Sequence, residues 1–135
     1  GDKKSPLWVG GGTIFGPKPR DYSYKIPKKM KRLAMISLLS MKVRDEEMRV
    51  IEDFTVESGK TKDLVKVLSN FVSDNKRTII ILKDDDKMLR RAGKNIPWLR
   101  FLSYNRLSAK ELLYGKNVLV METAAGNLND FYGEK

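Results

Sequence analysis

The sequence predicts an α/β fold: a three-layer sandwich around a mostly parallel sheet of about four strands, preceded by a basic extended arm. After residue 26, apolar runs of strand length alternate with single helical segments, a pattern typical of right-handed crossovers between parallel strands. Residues 1–26 lack hydrophobic periodicity and are rich in Gly, Pro, aromatic and basic residues. We therefore predict an arm (1–26), a globular domain (27–125) and a flexible tail (126–135).

The first third of the chain, which holds the arm and the first predicted helix, is its most basic part. The 135 residues carry a net charge of +10, and residues 1–44 contain 11 Lys and Arg against only Asp2 and Asp21. Clustered positive charge raises the local concentration of phosphate groups, and exposed glycines and rings suit a nucleic-acid partner. The alternative is a solvated basic arm without a dedicated partner.

The first helix is predicted to begin at Pro27. Its predicted apolar face, at spacings of three and four residues, consists of Met30, Leu33, Ala34, Ser37, Leu38 and Met41. Its first turns contain four cations, which oppose the helix dipole, and a bound phosphate would relieve that repulsion. The alternative is that these cations only solvate the exposed face.

The remaining elements follow in regular order. Residues 48–54 predict a strand, and Leu64, Val65, Leu68, Phe71 and Val72 predict the apolar face of a helix. A strand buried on both faces is predicted at 78–82, and further strands are predicted at 99–103 and 118–121. Short helices are predicted at 87–92 and after Ser108, which has capping-box spacing to Glu111. Little helix is expected beyond Thr123 because Gly and Asn are frequent there.

Composition argues against several functional classes. The chain contains no Cys and no His, which removes disulfides, thiolate metal sites and the commonest general base. No apolar run is long enough for a transmembrane span. The segment 58–61, Ser-Gly-Lys-Thr, resembles the end of a phosphate-binding P-loop, but Phe54 stands where that motif requires Gly. We interpret Gly59 as a turn and Thr61 as a helix N-cap.

Two further motifs are weak. Asp84, Asp85 and Asp86 could hold Mg²⁺, but Lys83 and Lys87 flank them, which favours a solvated turn. The triple glycine at 10–12 precedes no strand-to-helix turn and is not a dinucleotide-binding fingerprint. We predict no catalytic residue, no metal site, no cofactor and no enzymatic activity.

The run from Ser5 to Ser40 resembles the signature of the bacterial large-subunit ribosomal protein uL4 family. It contains a W-x-G-G-G turn, F-G-P-x-P-R, an aromatic pair, and P-K-K opening a helix. Further matches are Ile51–Phe54 before a Lys-Thr-Lys helix and Arg91–Pro97, similar to the family's R-x-x-N-x-P segment. The resemblance extends to about Met121.

The resemblance implies a cytoplasmic ribosomal protein that binds large-subunit rRNA, contacts neighbouring ribosomal proteins and enters subunit assembly early. Some members of the family also repress their own operon by binding its messenger leader. The family has a long loop that reaches the peptide exit tunnel. The chain would begin in the returning arm of that loop, so the N-terminal strand, first helix and loop tip are not expected in it. No membrane partner is implied, and self-association of the fragment is expected.

The resemblance also implies an RNA-binding site. The glycines of the W-x-G-G-G turn would approach RNA closely, the aromatic rings would stack on bases, and the cations would contact phosphates, with Arg20 the best candidate for a bidentate contact. An equally weighted alternative for Phe15 is that it anchors the arm to the sheet. The predicted RNA-binding residues are Lys3, Lys4, Trp8, Gly10, Gly11, Gly12, Phe15, Lys18, Arg20, Tyr22, Tyr24, Lys25, Lys28, Lys29, Lys31 and Arg32, with a secondary cluster of Arg90, Arg91 and Lys94.

Two other functional classes remain open on the sequence. One is an interaction domain whose arm binds polyanions nonspecifically. The other is an α/β enzyme acting on phosphorylated substrates, which is disfavoured because no acid–base pair is placed for it.

Overall fold

The computed structural model describes residues 1–72, 76–83 and 86–133. Residues 1–26 contain neither helix nor strand. The elements that follow are α1 (Lys28–Arg44), β1 (Met48–Ile51), α2 (Thr61–Leu68), β2 (Thr78–Leu82), α3 (Lys87–Gly93), β3 (Leu99–Ser103), α4 (Ala109–Tyr114), β4 (Asn117–Met121) and α5 (Glu122–Tyr132).

The four strands form one parallel sheet in the order β1-β4-β2-β3. The chain moves across the sheet in one direction through α2 and α3 and returns through α4. Right-handed crossovers therefore place α2 and α3 on one face and α4 on the other. Helix α1 packs against α4, and α5 contacts β1, β2 and β4. The predicted α/β sandwich with a parallel sheet is confirmed.

The core lies around the two central strands. Every residue of β2 is buried, as its β-branched run predicted, and Val118–Met121 of β4 are buried beside it. The bounds predicted for β2 and β3 are confirmed. The capping prediction for α4 is also confirmed, because the Ser108 hydroxyl accepts a hydrogen bond from the Glu111 backbone N–H at 3.5 Å.

Helix α1 buries a different face from the one predicted. Met35 is buried, whereas Met30 and Leu33 are 61% and 65% exposed. Apolar residues occur on all sides of this helix, so their spacing does not select one face. The buried Lys42 ammonium fixes the rotation of the helix, because it donates to Glu47 Oε2 at 2.5 Å and to the Gly115 carbonyl at 2.7 Å.

Two boundaries around β1 and α2 also differ from prediction. Strand β1 ends at Ile51, and beyond it the Asp53 carboxylate accepts a hydrogen bond from the Thr123 N–H at 3.3 Å. Thr61 is the first helical residue of α2 and not its N-cap, a position that Lys60 occupies. Because α2 ends at Leu68, the side chain of Phe71 leaves the predicted helical face.

The expectation of little helix after Thr123 is wrong. Helix α5 buries Ala124 and Leu128, and it covers most of the range 126–135 that was predicted as a flexible tail. Gly and Asn have low helix propensity, but burial of the apolar residues against the sheet overrides it. The last helix of the chain therefore ends at Tyr132.

Candidate nucleic-acid interface

The start of the arm folds into a local turn built on glycines. The Trp8 N–H donates to the Ser5 carbonyl at 3.1 Å, and the Gly11 N–H donates to the Trp8 carbonyl at 2.9 Å. Gly10 has a φ of +79°, and a Cβ at Gly11 would lie 1.9 Å from the Ser5 oxygen. Only glycine fits these two positions without strain. The close approach predicted for the glycines is, at Gly11, an approach to the chain itself.

Four aromatic side chains of the arm are exposed. Phe15 is 92% exposed and Tyr24 is 84% exposed, while Trp8 and Tyr22 are 64% and 75% exposed. The alternative in which Phe15 anchors the arm to the sheet is therefore wrong. Exposed rings offer flat faces on which unpaired bases can stack.

Arg20 and Tyr22 form a local pair. The Arg20 guanidinium carbon lies 4.4 Å from the centroid of the Tyr22 ring. Between them, the Asp21 carboxylate accepts hydrogen bonds from the Ser23 N–H and hydroxyl, both at 2.9 Å. These bonds, the backbone one first, lower the pKa of Asp21. The arrangement orders a cation and a ring side by side in a segment that has neither helix nor strand.

The lysines of the arm and of the first turns of α1 are exposed. They are Lys3, Lys4, Lys18, Lys25, Lys28, Lys29 and Lys31. Pro27 precedes α1 and gives no side-chain cap, and the first turn contains no acidic residue. The N-terminal N–H groups of α1 and the surrounding ammonium groups together favour an anion.

Near the N-terminal end of the arm, two hydrogen bonds from backbone N–H groups add to the glycine turn. The Gly12 N–H donates to the Lys4 carbonyl at 3.0 Å, and the Lys4 N–H donates to Asp2 Oδ1 at 3.1 Å. The backbone around Lys3 and Lys4 is thereby tied to the glycines.

Arg32 has a structural role that the sequence analysis did not foresee. Its guanidinium donates to the carbonyls of Phe131 at 3.2 Å and Gly133 at 3.0 Å, at the C-terminal end of α5. A cation there complements the helix dipole. Arg32 and Lys31 line a cavity of about 420 Å³ with Leu107 and Tyr132. Burial raises the pKa of the Tyr132 hydroxyl, and the nearby Arg32 charge opposes that rise.

The secondary cluster of Arg90, Arg91 and Lys94 stays a prediction, and its three members lie in α3 or directly after it. Arg90 and Arg91 are adjacent in α3 and so leave the helix in different directions. Arg91 lies beside Gly59, where a Cβ would be 3.6 Å from its Cδ. Lys94 follows the last turn of α3 and is exposed.

Arg90 also lines a second cavity with Lys83 and Arg106, two cations that the sequence analysis missed. Lys83 directly follows β2, and Arg106 lies three residues after the end of β3. Their positions after predicted strands could have identified them, because residues that follow neighbouring parallel strands meet at the same edge of the sheet.

The weak enzymatic motifs have structural explanations. Gly59 has a φ of +59° and forms the predicted turn. Asp84 and Asp85 lie outside the described residues. The Asp86 carboxylate caps α3 by accepting from the Met88 and Leu89 N–H groups, and a hydrogen bond from the Thr55 hydroxyl is the main cause of its lowered pKa.

The described residues contain neither a cluster suited to a metal ion nor a helix suited to span a membrane. No group of three or more acidic, His or Cys side chains in residues 1–72, 76–83 and 86–133 could hold a metal ion. Over the same ranges, no helix is both long and apolar enough to cross a membrane.

Comparison with known proteins gives a consistent result. The family model described as "Ribosomal protein L4/L1 family" matches residues 1–131. A protein from Treponema denticola is 64% identical over 135 residues, which cover 100% of this chain and 64% of that protein. One from Treponema pallidum is also 64% identical, with 62% of its length covered. One from Borrelia garinii is 52% identical over 133 residues, which cover 98% of this chain and 64% of that protein.

All three relatives are named "Large ribosomal subunit protein uL4". The chain thus spans slightly less than two thirds of the length of these relatives. The family consists of ribosomal proteins and is not a family of enzymes, in agreement with the sequence prediction. Because the family model covers both the arm and the α/β domain, the chain belongs to the ribosomal protein L4/L1 family.

Proposed function

We propose that the chain is a structural constituent of the large subunit of the cytoplasmic ribosome and binds its rRNA through the arm and the N-terminus of α1. The carrying observation is the exposure of the arm's rings: Phe15 and Tyr24 contribute nothing to the core and stand among lysines. The names of the relatives support the ribosomal assignment.

The interface combines two chemistries that RNA recognition requires. Ammonium and guanidinium groups bind phosphates, and this binding supplies affinity without sequence preference. Exposed rings such as Phe15 stack on splayed bases, which a duplex or a polypeptide polyanion does not offer. The local pairing of Arg20 with Tyr22 presents both chemistries at one point of the arm.

Four finer properties belong to the same proposal. Binding of rRNA by an exposed arm suits early subunit assembly, when the RNA is still accessible, and the same surface can bind a structured messenger leader. The chain contacts neighbouring ribosomal proteins through its globular domain. The exposed Met30 and Leu33 on α1 and Val50 on β1 favour self-association of the isolated chain, which sedimentation would detect.

The direct test is binding of the chain to large-subunit rRNA and to an unrelated structured RNA of equal length, across a salt series. We expect preference for the rRNA at moderate salt and a log–log slope of about −4 to −7, which counts the phosphates engaged. Equal affinity for both RNAs would contradict specific recognition.

A variant pair assigns the binding to the arm. In R20Q/K28Q, two predicted phosphate contacts are lost, and the salt slope should become shallower by about 1 to 2. The matched control is R44Q/K66Q, which removes the same charge and residue types from the end of α1 and from α2. Equal slopes in the two variants would remove Arg20 and Lys28 from the site.

The second candidate is a nonspecific polyanion-binding arm, favoured by the concentration of charge in residues 1–44. Competition separates the two candidates. If recognition includes base stacking, unlabelled rRNA displaces the bound rRNA and polyglutamate of equal charge does not. Displacement by both would favour the nonspecific arm.

A further inference from the structure

A cavity of about 490 Å³ opens at the carboxyl edge of the sheet, where β2 and β3 end. Its lining includes three cations, Lys83, Arg90 and Arg106, and the polar side chains of Ser103 and Asn105. None of the described residues that line it is acidic. Carboxyl edges of parallel sheets are the usual position of ligand sites in α/β folds.

The cavity is partly preorganised. Arg90 is half-buried, and its Nη2 donates to the Ser103 hydroxyl at 3.3 Å, which orients the guanidinium plane. Arg106 follows a turn closed by its own N–H donating to the Ser103 carbonyl at 3.0 Å. A guanidinium held in position by hydrogen bonds loses less entropy on binding an anion than a free one.

The cavity adjoins the proposed interface on α1 through consecutive residues of the chain. Arg106 lines it, and the next residue, Leu107, lines the neighbouring cavity beside Lys31. Both cavities lie at the carboxyl edge, because α1 runs from that edge to the start of β1. The Phe131 ring, which lines the cavity beside Lys31, packs edge to face with the Tyr104 ring, and their centroids are 6.3 Å apart.

We propose that the cavity at Lys83, Arg90 and Arg106 is a second phosphate-binding site, which takes the backbone of the RNA strand bound by the arm. The inference rests on the proposed function and deepens it by placing a contact on the globular domain. The three cations, the Ser103 hydroxyl and the Asn105 amide supply hydrogen-bond donors for a phosphate group. A phosphate held there continues the path from the N-terminus of α1 across the sheet edge.

The test compares K83Q/R106Q with R44Q/K66Q and the unchanged chain in the rRNA salt series. Lys83 and Arg106 are both exposed, so their replacement leaves the core intact. We expect K83Q/R106Q to lower affinity and to make the slope shallower by about 1 to 2, because each lost phosphate contact removes about 0.9 from a duplex slope and about 0.7 from a single-strand slope. R44Q/K66Q should match the unchanged chain.

Slopes and affinities that are equal in all three proteins would overturn the proposed site, whereas the proposed function would stand if all three still preferred rRNA. Failure of the proposed function has a different signature, in which the unchanged chain binds both RNAs equally.

A second experiment distinguishes an RNA strand from a free phosphorylated ligand, because both would bind the cavity through a phosphate group. Inorganic phosphate and a short single-stranded RNA are titrated separately into the isotope-labelled chain. We expect the RNA to shift the amide resonances of residues 103–107 at concentrations where inorganic phosphate has no effect. That result would support binding of an RNA strand in the cavity. Equal perturbation by phosphate, with no competition from RNA, would overturn it.

Discussion

The arm and the sheet use their apolar residues in opposite ways. In residues 1–26 the rings of Phe15 and Tyr24 are almost fully exposed, whereas Ile79, Ile80 and Ile81 in β2 have no exposed surface. A segment that buries so little cannot contribute much to folding, and a strand that exposes nothing cannot contact a partner. The comparison teaches that recognition and stability reside in different parts of this chain and can be changed separately.

The largest expected effect is on the sheet. Ile80→Ala removes a fully buried side chain and leaves a cavity between β2 and its helices, so the free energy of unfolding should fall by about 2 to 5 kcal/mol. Urea denaturation measures it. A loss below about 1 kcal/mol would mean that β2 is not the centre of the core.

The buried Lys42 gives the next largest effect, because it ties α1 to the β4 side of the sheet. Lys42→Met removes hydrogen bonds to Glu47 and Gly115, so stability at neutral pH should fall by about 1.5 to 3 kcal/mol. The hydrogen bond from Lys42 is the main cause of the lowered pKa of Glu47.

This second variant also predicts a pH dependence. A carboxylate whose pKa is lower in the folded state stabilises the fold above its ordinary value, 4.5 for Glu47, and that stability is lost as the pH falls through the lowered pKa. The stability difference between the unchanged chain and Lys42→Met should therefore shrink below pH 4.5. A constant difference down to acid pH would contradict the Glu47 contact.

The arm gives the converse of the Ile80 result. Phe15→Ala should change the free energy of unfolding by less than about 0.5 kcal/mol, because the ring is exposed. Its affinity for rRNA should fall by about 1 to 3 kcal/mol if the ring stacks on a base. Urea denaturation and rRNA binding, measured on the same preparation, give the two effects. A large loss of stability would show that the Phe15 ring packs on the domain.

A helix cap gives the smallest effect. Ser108→Ala removes the acceptor for the Glu111 N–H and should cost about 1 kcal/mol of stability. Affinity for rRNA should stay unchanged, because α4 contributes no residue to the proposed RNA-binding surfaces. Ser108→Thr is the matched control and should retain most of the stability.

The sequence predicted what is local and strongly patterned. The β-branched run 78–82 and the spacing of Ser108 to Glu111 each admit one interpretation, and the structure confirms both. The quoted motifs of residues 5–40 identified the family correctly. These features depend on neighbouring residues, so no knowledge of the tertiary fold was needed.

Features that depend on distant contacts were missed. The rotation of α1 is fixed by Lys42 reaching Gly115, a contact between residues 73 positions apart. Helix α5 forms despite Gly126 because burial of Leu128 against the sheet outweighs propensity. Lys83 and Arg106 meet only because β2 and β3 are paired, which places their ends at one edge.

Hydrogen–deuterium exchange of the chain with and without rRNA tests the separation of the two regions most directly. The account predicts that RNA slows exchange in residues 1–32, with a smaller effect at residues 103–107, while β2 and β4 exchange equally slowly in both states. Protection that appears on the exposed faces of α2 and α3 while residues 1–32 still exchange rapidly would contradict it.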